Sequence, residues 1–433
     1  MDLPFKFVTL WTDVVLWVML LGLGLYVRQV RRDAALRATW RRVFVTPSAM
    51  ASAVLLGLML LATYGFSKES VPPQADAKPV LDEHGVPTLP ARAYPRLRHG
   101  GAGLADAERD WAGDIAVRLA WGSLAGAAVS LLLWLLVRPA RATTTTTQPL
   151  AWRAAWITAS VMAVLVGWGV ALSWGQGYHV FGTDRTGNDV LYMTLKSVRT
   201  AFVIGSLATI ATLPFALIFG IAAGYFKGWV DDVIQYIYTV LSSVPNILLI
   251  AACVLMVQVF LDKHPELFET GLERADLKIF LLCLILGLTG WAGLCRLLRA
   301  ETLKLRELEY VQAATAFGVS HWRIMQRHVL PNVMHLVLIT TVLEFSGLIL
   351  YEAVLSYVGV GVDPSMNSFG GMINQARVEM SRDPIVWWSF LAAFVFMVAI
   401  VLSANLFADA VRDAFDPRAR VYRARPRAAV HPA

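Results

Sequence analysis

The segment Phe181-Gly182-Thr183-Asp184-Arg185-Thr186-Gly187-Asn188-Asp189-Val190 sets two glycines at the interval found in loops that cradle phosphate. Such a loop continues with Lys and then Ser or Thr. Here Asn188-Asp189 follows, and an anion would meet carboxylates. The segment instead reads as a tight reversal, with Asp184 and Asp189 placed to bind backbone amides or to cap the next helix. Two further carboxylates stand singly in apolar surroundings, where charge is costly and faces a cavity or a partner. Glu344 falls near the middle of an apolar run, and Glu352 follows eight residues on, about 80° round a helix. Either both line a path suited to a substrate ammonium group, or Glu344 makes an interhelical hydrogen bond and Glu352 caps a helix at the interface. His328 and His335 flank Pro331, but no carboxylate or cysteine spacing completes a metal site around them. They are assigned to solvent or to a partner. Cys253, Cys283 and Cys295 lie in apolar segments without CxxC spacing and read as small core residues, with neither a disulfide nor a zinc site.

Docking chemistry is written more clearly in Glu309-Tyr310-Val311-Gln312-Ala313-Ala314-Thr315-Ala316-Phe317-Gly318, followed by Leu330-Pro331-Asn332. Ala313 and Ala314 leave a helix surface with little bulk, open to close approach by another protein. Gly318 can take positive φ and end that helix. Ser320 is expected to cap a second short helix, 321–329, and Pro331 to stop it or kink its entry into the next apolar run. The expectation is a helix-turn-helix knob at a membrane surface. Arg296, Arg299, Lys304, Arg306, Arg323 and Arg327 would equally mark it as a basic cytoplasmic loop.

These residues need apolar elements to hold them. The chain of 433 residues is 57% hydrophobic and 16% charged, with mean hydropathy +0.57, far from the roughly 25% charged of soluble domains. It is therefore a polytopic membrane protein. Its net charge of +7 comes from arginines in short blocks beside apolar runs, which suits an anionic inner leaflet and excludes nucleic acid as the partner. Nine runs approach the roughly 20 residues needed to cross the hydrocarbon: 8–27, 48–66, 115–137, 154–174, 198–224, 234–260, 277–298, 333–358 and 385–410. Pro214 and Pro245 should bend their spans, with Ser242-Ser243 satisfying a freed carbonyl. Arg28, Arg31, Arg32, Arg37, Arg41 and Arg42 make the first loop cytoplasmic. Alternation then puts the N-terminus and residues 67–114 outside, the 175–197 loop outside, and the knob and the arginine-rich C-terminal tail inside. The first run lacks a small-residue cleavage site and reads as an uncleaved helix. Residues 67–100, rich in Pro and charge, and the run Thr143 to Thr147 are read as linker rather than folded domain.

Four segments, in order, resemble one family. The knob resembles the ATPase-coupling loop of ABC-importer permeases, E-A-A, three residues, G, then L-P, with Ala313, Ala314, Gly318, Leu330 and Pro331 in place and Gln312 where glutamate is usual. The 181–190 segment resembles the G-T-D-x-x-G-x-D loop of the dipeptide, oligopeptide and nickel branch, through Gly182, Thr183, Asp184, Gly187 and Asp189. Tyr351-Glu352-Ala353-Val354-Leu355-Ser356-Tyr357-Val358-Gly359-Val360-Gly361 with Ser368-Phe369-Gly370-Gly371-Met372 resembles E-A-x-L-S-F-L-G-x-G and its S-W-G-x-M-L turn. Arg412-Asp413-Ala414-Phe415-Asp416-Pro417-Arg418 resembles the R-D-x-x-D-P-R terminus.

The resemblance implies a C-type inner-membrane permease subunit. Its fold would be all-α and polytopic: a six-helix core at 151–420, preceded over 1–150 by about three extra transmembrane helices and followed by a basic tail at 421–433. It implies coupling through Glu309, Tyr310, Gln312 and the motif residues above, and a substrate that is a peptide or a related small solute. The implied partners are two ATPase subunits, a homologous permease in a heterodimer, an extracytoplasmic solute-binding protein and membrane lipid. The chain itself would be non-catalytic and bind no cofactor, with ATP and Mg acting in the partner subunits. An ion-coupled carrier should show paired half-helices or an internal repeat, and a membrane scaffold should carry a soluble output domain; the sequence displays neither.

Overall fold

The computed structural model describes residues 11–65, 80–81, 87–88, 98–99, 111–137, 149–173, 178–184, 188–265, 271–363, 365–381 and 385–415. Gly187, the threonine run, His84 and the tail beyond Phe415 lie outside the described residues. In chain order the elements are α1 (Trp11–Arg32), α2 (Ala34–Val43), α3 (Pro47–Gly65), β1 (Val80–Leu81), β2 (Pro87–Thr88), β3 (Arg98–His99), α4 (Trp111–Val137) and α5 (Pro149–Ser173). Then come β4 (Tyr178–His179), α6 (Val190–Phe226), α7 (Trp229–Ser243), α8 (Asn246–Lys263), α9 (Gly271–Gly290), α10 (Ala292–Arg306) and α11 (Glu309–Ala316). The last are α12 (His321–Ile324), α13 (Leu330–Tyr357), α14 (Phe369–Met380) and α15 (Trp388–Phe415), with a π-turn at Met325–Val329 between α12 and α13. The strands are two residues each, in the antiparallel ribbons β1–β2 and β3–β4, so the fold is helical in substance.

Among the described residues six helices are long and apolar enough to cross a membrane, and two bent pairs raise the number to eight. The first expected span, 8–27, overlaps α1, a helix of 22 residues that continues to Arg32. Two expectations need correction. The sixth span does not run through 234–260: it breaks into α7 and α8 at Pro245, where Val244 is extended (φ −91°, ψ 134°) because a residue before proline is driven out of the helical region. The Ser243 hydroxyl donates to the Val240 carbonyl freed there, at 2.7 Å. The basic stretch 28–42 is helix rather than loop, forming the end of α1 and then α2, which meets α3 at a bend of 87°. Leu36, Trp40 and Val43 already stood at helical spacing in it.

The chain forms two compact units that are not sequential. One comprises Met1–Ala49, Ile204–Leu348 and Ala404–Ala433. Its core gathers Leu294, Cys295 and Leu298 with Val311, Ile324, Val329 and Val333. Here α6 lies directly on α10. A Cβ at Gly224 would meet the Arg299 carbonyl oxygen at 2.7 Å, and one at Gly220 would meet the Leu298 Cβ at 2.8 Å, so only glycine permits the approach. Helix α1 is tied to α9 through a buried contact in which the Thr12 hydroxyl and amide donate to Asp276. The second unit comprises Met50–Val203 and Ile349–Ser403. In it α4 and α5 pack backbone to backbone at Gly122, Gly126 and Gly167, the small-residue contact that brings helices together where water exerts no hydrophobic drive.

Candidate functional site

The knob takes its shape from a Schellman turn. Gly318, at φ +76°, follows α11; its amide donates to the Thr315 carbonyl at 3.0 Å, and the Val319 amide donates to the Ala314 carbonyl at 3.1 Å. The chain then enters α12. Ser320 occupies the cap position expected of it, but its side chain makes no cap hydrogen bond. Pro331 neither stops the second helix nor ends its register: α12, the π-turn and α13 form one helical run, His321–Tyr357, of 37 residues. The wider π-turn relieves the clash that the proline ring would make with a carbonyl one turn earlier. The knob is thus continuous with an apolar helix.

Its base is rigid. Asp231 on α7 accepts from Arg299 on α10 at 2.5 and 2.7 Å, a two-pronged pair. The Arg299 hydrogen bonds hold the Asp231 carboxyl below its ordinary range, against the opposing push of burial. Lys227, itself at φ 55°, donates to Glu307 at 2.7 Å and depresses the Glu307 carboxyl. Arg306 donates to the Tyr225 carbonyl at 2.6 Å, and the Tyr225 hydroxyl meets His321 Nδ1 at 2.9 Å. Asn332 donates to the Tyr310 hydroxyl at 3.1 Å, tying the start of α13 to α11.

The outward face is apolar and unusually open. Phe317 is 87% exposed and Trp322 65%. Gln312, Ala313 and Ala316 are exposed, and Glu309 and Tyr310 stand at the rim. Beside them lies an open cleft of ≈ 500 Å³ lined by Tyr225, Phe226, Arg306, Glu307, Gln312, Thr315, Ala316 and His321. The expectation for the paired alanines divides here. Ala313 faces out, whereas Ala314 packs against the knob's own core, because Val311 is fully buried and residue 314 shares its face of the helix. Leu330 also packs inward. Phe317 was not singled out from sequence, although a bulky aromatic just before a turn glycine in a polar segment is the signal that marks it.

The 181–190 segment behaves differently. Thr183 and Asp184 are fully buried. Asp184 accepts from the Asn188 amide at 2.7 Å, from Asn188 Nδ2 at 2.8 Å and from Gln375 on α14 at 3.1 Å. Asp189 caps α6 by accepting the Tyr192 amide at 2.9 Å and meets His179 Nδ1 at 2.6 Å. Gly182 supplies the reversal at φ 75°.

The two candidate pathway carboxylates separate as well. Glu352 is 1% exposed and accepts from the Ser356 hydroxyl at 2.7 Å, so it fastens the turn after α13. That turn is a second Schellman motif around Gly359, and α14 is capped by Ser368, whose hydroxyl accepts from the Gly371 amide. Glu344 is half-buried and has no hydrogen-bond or ion-pair partner among the described residues, which leaves the interhelical hydrogen bond unmade. His335 Nδ1 contacts the Asn332 carbonyl at 2.8 Å, and the three cysteines are free thiols.

The described residues thus form a multi-pass helical protein in which a braced, aromatic-tipped knob is continuous with a long apolar helix. Residues 216–421 match the model of the binding-protein-dependent transport system inner membrane component. The chain is similar to the oligopeptide transport system permease protein OppC of Haemophilus influenzae, 32% identical over 245 residues that cover 57% of this chain and 72% of that protein. It is also similar to OppC of Mycobacterium bovis, 33% identical over 57% of this chain and 78% of that protein. To the peptidoglycan transport system permease protein YejE of Agrobacterium fabrum it is 37% identical, over 55% of this chain and 56% of that protein. The chain belongs to this family of inner-membrane permeases of ABC importers.

Proposed function

We propose that this permease subunit carries peptides or chemically related solutes and takes its force from two cytoplasmic ATPase subunits, one of which grips the knob at Glu309–Ala316 and the turn after it. The exposed pair Phe317 and Trp322 on a braced base carries this reading, and the names of the relatives supply the substrate class. A homologous permease would complete the pathway in a heterodimer. A solute-binding protein would deliver substrate from outside. ATP and Mg would act in the ATPases, leaving this chain non-catalytic. Residues 151–420 would form the permease domain, 1–150 an added membrane extension and 421–433 a basic tail. The N-terminus would lie outside and the C-terminus in the cytoplasm, the placement that satisfies the arginine clusters.

The mechanism follows from the continuity of the helix. A movement of the ATPase pair displaces the knob, and α13 moves with it because no loop intervenes to absorb the motion. Glu344, partnerless on that helix, is the group that would meet a cationic substrate. The test is Phe317→Asp. Removing an aromatic anchor costs about 2 kcal/mol or more, roughly thirtyfold in affinity, so ATPase subunits should no longer co-purify while the chain accumulates normally. Full ATPase recovery with this variant would remove the knob from the mechanism. Orientation is tested with single cysteines near Arg32 and near His84 in a background lacking native cysteines. The first should label only from the cytoplasm and the second only from outside; labelling of both from one side overturns it.

A further inference from the structure

Helix α2 carries a surface that the transport reading leaves unused. Its apolar side is spent within the protein. Val43, together with Ala49 at the start of α3, is buried against Ala410, Val411 and Ala414 of α15 and against Leu338 and Val342 of α13. Trp40 meets Phe415 edge-on at 5.5 Å, and its indole N–H donates to Tyr26 at 3.0 Å. The other side holds Arg37, Arg41 and Arg42, and the end of α1 beside it adds Arg28, Arg31 and Arg32. All six are exposed, and among the described residues none pairs with a carboxylate. An 87° bend separates α2 from the apolar helix that follows it. A helix lying flat, apolar inward and arginine-rich outward, is the form that binds a leaflet surface.

We propose that this arginine face is a binding site for anionic phospholipid headgroups, which fix α2 against α13 and α15. A phosphodiester matches the guanidinium fork in two-pronged fashion, and a zwitterionic headgroup offers the same phosphate with its charge cancelled. The site calls for a leaflet rather than a single free anion, because its six exposed arginines are spread over the end of α1 and the length of α2. The proposal rests on the membrane placement given above, though not on which side is cytoplasmic.

The intact chain is reconstituted in nanodiscs holding equal phosphatidylglycerol and phosphatidylcholine, so that both leaflets are alike and orientation has no bearing. Retained lipid is then identified by mass spectrometry after delipidation. Each arginine at a charged surface contributes about fivefold, so Arg37→Gln, Arg41→Gln and Arg42→Gln together should lower the preference for phosphatidylglycerol about a hundredfold. The corresponding three lysine replacements should restore most of it. Where the triple variant fails to accumulate, Arg37→Gln and Arg41→Gln alone should each show the fivefold loss. Unchanged preference in the glutamine variants overturns the site, and so does displacement of phosphatidylglycerol by inorganic phosphate, which would make the ligand a free anion.

Discussion

The knob and the 181–190 reversal are the two most motif-dense stretches of the chain, and they use their polar and small residues in opposite senses. In the reversal the signature side chains turn inward: Asp184 and Thr183 are fully buried, and Asp189 is committed to a helix cap and a histidine. In the knob the outward side chains, Phe317, Trp322, Gln312 and Ala313, find little among the described residues; Gln312 donates to the Glu307 carbonyl at 3.2 Å. A motif that consumes its own hydrogen bonds specifies a shape. One that leaves an aromatic and small residues in solvent prepares a surface for another molecule.

The largest expected effect tests the inward half of that contrast. Asp184→Ala leaves three donors without their acceptor in a buried site, and hydrogen bonds to a charged group contribute about 1.5–3 kcal/mol each. The purified chain should lose about 3 kcal/mol or more of stability, read as a lower thermal midpoint in detergent, while ATPase recovery per folded molecule stays normal. A stable Asp184→Ala protein deficient only in transport would reverse the comparison and make the reversal a ligand site.

Next comes the alanine pair, which separates surface from core within one turn of helix. Ala314→Trp overpacks the knob's own core and should cost about 1–3 kcal/mol of stability together with docking. Ala313→Trp should leave stability within about 0.5 kcal/mol and still abolish ATPase co-purification. If both variants dock normally, the small-residue face has no partner.

How much of this was legible in the sequence depends on the range of the interaction. The positive φ of Gly318 and the reversal at Gly182 are properties of a few neighbouring residues, and both were readable. Three prolines, each expected to bend or interrupt a helix, met three fates. Pro245 breaks a span, Pro214 sits within the continuous α6, and Pro331 is absorbed by a π-turn. The outcome turns on whether neighbouring packing rewards continuation, which lies outside the local window. The inward turn of Ala314 depends on Val311 finding a core made by α10 and α13, and the partner of Asp184 on α14 is 191 residues away. The helix α2 was legible from its apolar spacing and was hidden by its arginines.

A milder effect is expected at Glu344, which belongs to neither pattern, being half-buried yet without a partner among the described residues. Glu344→Gln removes a charge that no described group compensates, so the stability of the assembled complex should hold or rise slightly. Uptake of a substrate bearing an ammonium group should fall about tenfold, the equivalent of about 1.4 kcal/mol of lost charge pairing, with basal ATPase activity near normal. Equal uptake by the two proteins would remove Glu344 from the pathway; a failure to assemble would restore a packing role.

The smallest effect is expected at Gln312, and it asks whether the outward surface depends on charge or on shape. Gln312→Glu exchanges the donor now given to the Glu307 carbonyl for a carboxylate, on an exposed helix face where single changes usually stay within about 0.5 kcal/mol. Glu307 is close by, but its charge is already met by Lys227 at 2.7 Å, so the added repulsion is screened by an existing ion pair. A partner arginine would gain an opposite charge; a partner that reads only shape would notice nothing. ATPase affinity should therefore hold or strengthen at low salt, with any gain vanishing as salt is raised. Weaker docking at every salt concentration would show that the Gln312 amide itself donates to the partner, and the surface would then be specified by hydrogen bonding rather than by the aromatic and small residues around it.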